Sequence, residues 1–153
     1  MTVETSDFSL DAFEDETGSI DYPREIEAVI ASLVDEGRAM VGQSEAGHAW
    51  KFEYGSVEVF VQLSGSTEDD TLAVWSPILS LPTKDDMGLM KKLMAMNWQG
   101  TFESCFALDG DKVIVMSSRS VADLNPSEIS RAITVVATIA DDNDEALIAE
   151  YQS

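Results

Sequence analysis

The sequence predicts an α+β fold, a single domain whose elements run α-βββ-α-ββ-α. Three observations carry this. Apolar residues recur at helical spacing in three separate stretches, alternate with polar residues in the stretches between them, and the junctions carry turn or cap residues such as Gly55-Ser56, Asp109-Gly110 and Asn125-Pro126-Ser127-Glu128. Helices segregated from consecutive hairpin-linked strands make this α+β rather than an alternating α/β chain.

The first helix is expected from Tyr22. Asp21 can cap its free amides, Pro23 is tolerated in a first turn, and Ile26, Val29, Ile30, Leu33 and Val34 form one apolar stripe, with Gly37 near the end. The period then changes. Trp50, Phe52 and Tyr54 alternate with Lys51 and Glu53, and Val57, Val59, Val61 and Leu63 alternate with Glu58 and Gln62 across a turn at Gly55-Ser56. Thr71 to Leu79 supplies a third strand, in which Pro77 suggests an edge or a strand terminus.

A methionine-rich helix follows, from Lys84 to Asn97, with Thr83 and Asp86 at capping-box spacing. Its residues Met87, Leu89, Met90, Leu93, Met94 and Met96 cover too much of the circumference for one narrow stripe, so part of that surface must meet something besides the sheet. Phe102, Ser104, Phe106 and Leu108 then alternate with Glu103 and Cys105, and Val113 to Met116 returns after Asp109-Gly110. In the last helix Asn125 caps, Pro126 takes the first position and Glu128 reaches back, with Ile129, Ala132, Ile133, Val136, Ala137 and Ala140 on the buried face.

Of the 153 residues, 29 are Asp or Glu and 9 are Lys or Arg, a formal net charge of -20. Phosphate contacts need clustered cations, and the only adjacent basic pair is Lys91-Lys92, so nucleic acid is not an expected partner; anionic membrane surfaces are disfavoured too. Short apolar runs and a first ten residues without a basic-then-apolar leader predict neither a membrane span nor a secretory signal. With one cysteine, Cys105, an intrachain disulfide is impossible and a reducing, cytoplasmic setting is expected. Residues 1–21 read as an acidic N-terminal arm, with Phe8, Leu10, Phe13 and Ile20 set among seven carboxylates, ahead of a domain at 22–153.

Catalytic chemistry finds little to use. His48 is the sole histidine, which confines any Ser-His-Asp or Cys-His pairing to its neighbourhood. Cys105 has no basic neighbour in sequence to lower its pKa and reads as a packing residue. The run Asp141-Asp142-Asn143-Asp144-Glu145 lacks the glycine and glutamate of a calcium loop and reads as a solvated helix end. No glycine pattern of a nucleotide loop is present. No catalytic residue, cofactor or metal is therefore expected.

Met94-Ala95-Met96-Asn97, Gly100-Thr101-Phe102, Phe106-Ala107-Leu108-Asp109-Gly110 and Leu124-Asn125-Pro126, in this element order, resemble the YbjN-domain family and, more distantly, the class I type III secretion chaperones that share its fold. The resemblance spans about residues 22 to 151. It implies a strongly twisted antiparallel sheet and a domain, often dimeric, that binds protein rather than transforming a substrate. Chaperones of this kind commonly dimerise through the middle helix and a neighbouring strand, here Met87 to Trp98 and Phe102 to Leu108.

The expectation is a non-enzymatic protein-binding domain, a chaperone-like or regulatory adaptor that works as a homodimer. Its partner or dimer surface is placed at Met87, Met90, Met94, Trp98, Phe102 and Phe106. The alternative is a small-molecule sensor or enzyme using a pocket between sheet and helices.

Overall fold

The computed structural model describes residues 20–34 and 47–153, and the backbone of 40–44. The elements are α1 (Tyr22–Leu33), β1 (Met40–Ser44), β2 (Gly47–Tyr54), β3 (Val57–Leu63), β4 (Thr71–Ser80), α2 (Asp86–Gln99), β5 (Cys105–Asp109), β6 (Lys112–Ser120) and α3 (Pro126–Tyr151). The fold is α+β in the predicted order, with one strand more: β1 pairs with β2 at the sheet edge from Met40↔Lys51 to Ser44↔Gly47. Its sequence, Met-Val-Gly-Gln-Ser, has too little alternation to announce a strand. Six strands form one antiparallel sheet in the order β1-β2-β3-β4-β6-β5.

Alternation places Trp50, Phe52, Val59, Val61, Leu72, Val74, Val113 and Val115 on the inner face, where they are buried. α3 lies over the middle of that face against β4, β3 and β6, and α1 packs on α3 and β2. Asn125 caps α3 through a complete capping box with Glu128, and Ile129, Ala132, Ile133, Val136, Ala137 and Ala140 are all buried, as their spacing predicts. Asp21 caps α1 by accepting from the Arg24 amide at 3.2 Å. The other face of the sheet carries a row in register, Lys51, Phe60, Trp75, Met116 and Cys105. In it Phe60 and Trp75 stack at 5.6 Å and the Lys51 ammonium lies 5.8 Å from the Phe60 ring.

Several local expectations shift. β4 is interior, not an edge; Pro77 sits at a β-bulge, beyond the last pairing of β4 to β3 at Trp75, so its missing N–H removes no bond to β3. Strand β5 begins at Cys105, because residues 101–104 turn instead, with the Ser104 amide donating to the Thr101 carbonyl at 2.9 Å. The β5–β6 turn is centred on Gly110-Asp111, one residue later than Asp109-Gly110, since Asp109 pairs with Lys112. Gly110 there has φ +59. The cap of α2 is Asp85, which accepts from the Gly88 amide at 3.0 Å. Thr83 and Asp86 do pair, but with Thr83 as donor: its amide and hydroxyl both give to Asp86 Oδ1, at 2.7 and 2.6 Å.

The largest correction concerns the acidic run. α3 continues to Tyr151, so residues 141–145 lie inside the helix rather than at a solvated end. Asp141 and Asp144 turn toward the β2–β3 hairpin. Asp141 Oδ1 accepts from the Ser56 amide at 3.0 Å and its hydroxyl at 3.1 Å, and Asp144 Oδ2 accepts from the same hydroxyl at 2.7 Å. Asp144 is buried, and its Oδ1 has no hydrogen-bond partner among the described residues. Gly55, at φ +57, is required there: a Cβ would stand 2.1 Å from Asp141 Oδ1. Gly37 and most of the acidic arm lie outside the described residues.

Candidate functional site: an apolar cleft between α2 and the β5 edge

Helix α2 is apolar on two sides. Leu89 and Leu93 are buried, and Met90 and Met96 are half-buried against the core. The other side carries Met87, Met94 and Trp98, which are 67%, 68% and 87% exposed. Residues seven and eleven apart share a helix face, so these three form one stripe along α2, with Lys91 beside it. Phe102, just past the helix, has φ +52 and is 75% exposed; the Arg131 guanidinium lies 5.9 Å from its ring. A large β-unfriendly φ at an exposed aromatic is unusual and fits a turn that presents the ring outward.

Between α2 and β5 an open cleft of about 200 Å³ is lined by Met90, Leu93, Met94, Asn97, Phe106, Ala107 and Leu108. Of the six residues expected at the surface, four are widely exposed, Met90 is half-buried in the cleft wall, and Phe106 is buried as its floor. Leu108, half exposed, and Asn97 complete the site and were not among those six. Leu108 was accessible to alternation, sharing the side of Phe106. Asn97 had no such signal, because an asparagine near a helix end reads first as a terminator.

Asn97 has a specific task. Its Nδ2 donates to the Phe106 carbonyl at 3.1 Å and its Oδ1 accepts from the Phe106 amide at 2.6 Å. In an antiparallel strand both groups of one residue point the same way, so Asn97 fills the outward-facing pair of the edge residue as a neighbouring strand would. Leu108, two residues on, presents its own pair on that edge.

Polar contacts tie α2 and the segments flanking it to α3. Lys92 donates to Glu150 at 2.7 Å, which raises the lysine pKa and lowers that of the glutamate, and the Lys84 amide donates to the Tyr151 carbonyl at 2.9 Å. In the turn between α2 and β5, Glu103 accepts from Arg131, which holds the glutamate pKa down. The hydroxyl and amide of Thr83 likewise lower that of Asp86.

Among the described residues no ionisable side chain lines the cleft. His48 stacks on Trp50 with ring centroids 5.7 Å apart, and Cys105 lies half-buried on the outer sheet face. Among the described residues no group of three or more His, Cys, Asp or Glu is arranged to hold a metal ion, and no helix is long and apolar enough to cross a membrane. The arrangement can exclude water from apolar surface; it converges no proton-transfer groups.

No curated protein matches the chain. Among solved structures, the crystal structure of the ExsC-ExsE complex contains a chain of the same fold, with a TM-score of 0.56 and 17% identity, over 84% of this chain and 97% of that one. The YbjN family, described as "Putative bacterial sensory transduction regulator", matches residues 23–149. With the fold as described and that match over most of its length, the chain belongs to the YbjN family.

Proposed function

We propose that the protein is a non-enzymatic, cytoplasmic adaptor, chaperone-like or regulatory, that binds protein through the α2–β5 face and works as a homodimer. The observation that carries this is the stripe of Met87, Met94 and Trp98 along α2, each more than half exposed, beside a cleft whose lining includes Met94 and the half-exposed Leu108. Scattered exposed apolar residues are ordinary, whereas a contiguous group marks an interaction site. Covering Trp98 alone removes on the order of 200 Å² from water, about 5 kcal/mol at 25 cal/mol per Å², before the entropy of association is subtracted. The family's description as a regulator and the two-protein complex formed by a chain of the same fold support a binding role. The cleft's volume lies below the ~300 Å³ at which small-molecule pockets begin, which favours a protein surface over a metabolite pocket.

The test is sedimentation of the full chain beside Met94→Asp, with far-UV circular dichroism to verify folding. We expect a dimer that Met94→Asp converts to monomer without loss of secondary structure. A monomeric parent at high concentration, or a dimer indifferent to Met94→Asp, overturns the homodimer.

A further inference from the structure

We propose that Met87 and Met94 form a reversible oxidation site, in which a peroxide converts both thioethers to sulfoxides that Lys91 holds, so that oxidation switches off the α2 face. The modification stands on the stripe itself; its consequence for binding deepens the adaptor reading and rests on it.

Exposure singles out the two residues. Met87 and Met94 are 67% and 68% exposed, whereas Met90, Met96 and Met116 are half-buried. An oxidant meets a thioether from solvent, so these two sulfurs react first. The lone pair on sulfur attacks one peroxide oxygen; the S–O bond forms as the O–O bond breaks, and the departing oxygen takes a proton to leave as water or an alcohol. Sulfur loses two electrons and the peroxide gains them. Two thiols, acting through a sulfoxide reductase, reverse the change and yield thioether, disulfide and water.

Lys91 gives the site its second component. Positions 87, 91, 94 and 98 follow one another at four, three and four residues, so they share one face of α2 with Lys91 between the methionines. Lys91 is exposed, its neighbours three and four residues away are Met87, Gly88, Met94 and Ala95, and it has no ion-pair partner among the described residues. A thioether sulfur is a weak acceptor, while a sulfoxide oxygen is a strong one, so oxidation supplies the ammonium with a partner on either side. The run Met87, Lys91, Met94 then becomes polar throughout and leaves Trp98 as the apolar remnant of the stripe. Burying that run against apolar surface costs desolvation that no contact repays. A second copy seated on Met94 shields its sulfur, so the oxidant acts on the free face, and mass action holds an oxidised chain apart.

The experiment treats the full chain, dilute enough to keep the face free, with hydrogen peroxide and maps oxygen uptake residue by residue by mass spectrometry, Cys105 included. Self-association is then measured by sedimentation for the parent and Met87→Leu/Met94→Leu, each before and after treatment, beside Met94→Asp. We expect Met87 and Met94 to oxidise severalfold faster than Met90, Met96 and Met116. The treated parent should dimerise about tenfold more weakly, recover with a sulfoxide reductase and thiol, and be unlike the treated double variant, which keeps its dimer constant. Oxidation should lower Tm by more in Lys91→Ala than in the parent. Equal rates at all five methionines, a treated double variant that weakens as the parent does, or a Tm change indifferent to Lys91→Ala overturns the proposal. If the treated parent keeps its dimer constant while Met94→Asp breaks the dimer, the switch alone falls. Should Met94→Asp leave the dimer intact while Met87 and Met94 oxidise first with the Lys91 dependence, it is the adaptor reading that falls and the oxidation site that stands.

Discussion

Replacing Asn97 by leucine tests whether a side chain can stand in for a missing strand. The substitution keeps the number and branching of side-chain heavy atoms, with bulkier methyls that the open cleft can take, and removes both hydrogen bonds to Phe106, at 3.1 and 2.6 Å. Each such bond contributes about 1 kcal/mol net, and a sheltered backbone group left unpaired costs a further 1–3 kcal/mol. Phe106 is 5% exposed, so water reaches these groups only along the open cleft; some relief from there brings the expected loss to about 3 kcal/mol. For a domain of this size that lowers Tm by about 6–12 °C. Asn97→Asp is the sharper control. At neutral pH its carboxylate still accepts from the Phe106 amide but repels the Phe106 carbonyl; once protonated, below about pH 4, it can donate to that carbonyl. The Asn97→Asp penalty, measured against parent by urea unfolding, should therefore shrink between pH 7 and pH 3, while that of Asn97→Leu stays constant. Amide exchange at Phe106 should accelerate in Asn97→Leu. A loss under about 1 kcal/mol with Phe106 exchange unchanged would refute the assigned role of Asn97.

Four further outcomes follow from the same contacts. Ser56→Ala strips the hydroxyl shared by Asp141 and Asp144 and leaves the buried Asp144 carboxylate without a partner, so urea unfolding should register a loss of about 2–3 kcal/mol. Gly55→Ala, forced to φ +57 and into the Asp141 carboxylate, should lose at least as much as a strained left-handed alanine, about 1–2 kcal/mol, and a neutral result would place the turn elsewhere. Leu89→Ala, at a site with no exposure, should cost about 2–5 kcal/mol by the same measurement, whereas Met87→Ala on the same helix should stay within about 0.5 kcal/mol for the monomer. Acid titration of stability should fall as pH drops through the carboxylate range, because the Arg119 hydrogen bond and the Asn125 amide hold the Glu128 pKa below its ordinary value. A depressed folded pKa gives stability that is present above the unfolded pKa and lost below the folded one, so Glu128→Gln should flatten that fall.

Much of the fold was legible because its elements obey periods that do not depend on distant contacts. Trp50, Phe52 and the valines of β3 are buried in the alternation the chain writes out, and the Asn125 capping box forms from four consecutive residues. What escaped depends on partners far away in sequence. Residues 141–145 look like a frayed, charged helix end until the hairpin turn 85 residues earlier supplies hydrogen donors to Asp141. β1 is defined by pairing with β2 rather than by composition. At the site, the excess of apolar residues on α2 was visible, since six large side chains cannot share one stripe. Their division was not: only the position of β5 decides that Leu93 and Phe106 go inward while Met94 and Leu108 stay outside.

The clasp between Ser56 and the pair Asp141 and Asp144 carries a consequence for the order of assembly. Its two halves are separated by more than half of the chain, so the hairpin leaves the ribosome long before the helix that completes its turn. Until α3 arrives, Gly55-Ser56 has only its local geometry to close it, and the inner faces of β3 and β4 lack the layer that covers them. Because such non-local closure slows folding, the rate-limiting step is expected to be the docking of the C-terminal helix, with the sheet maturing around it rather than before it.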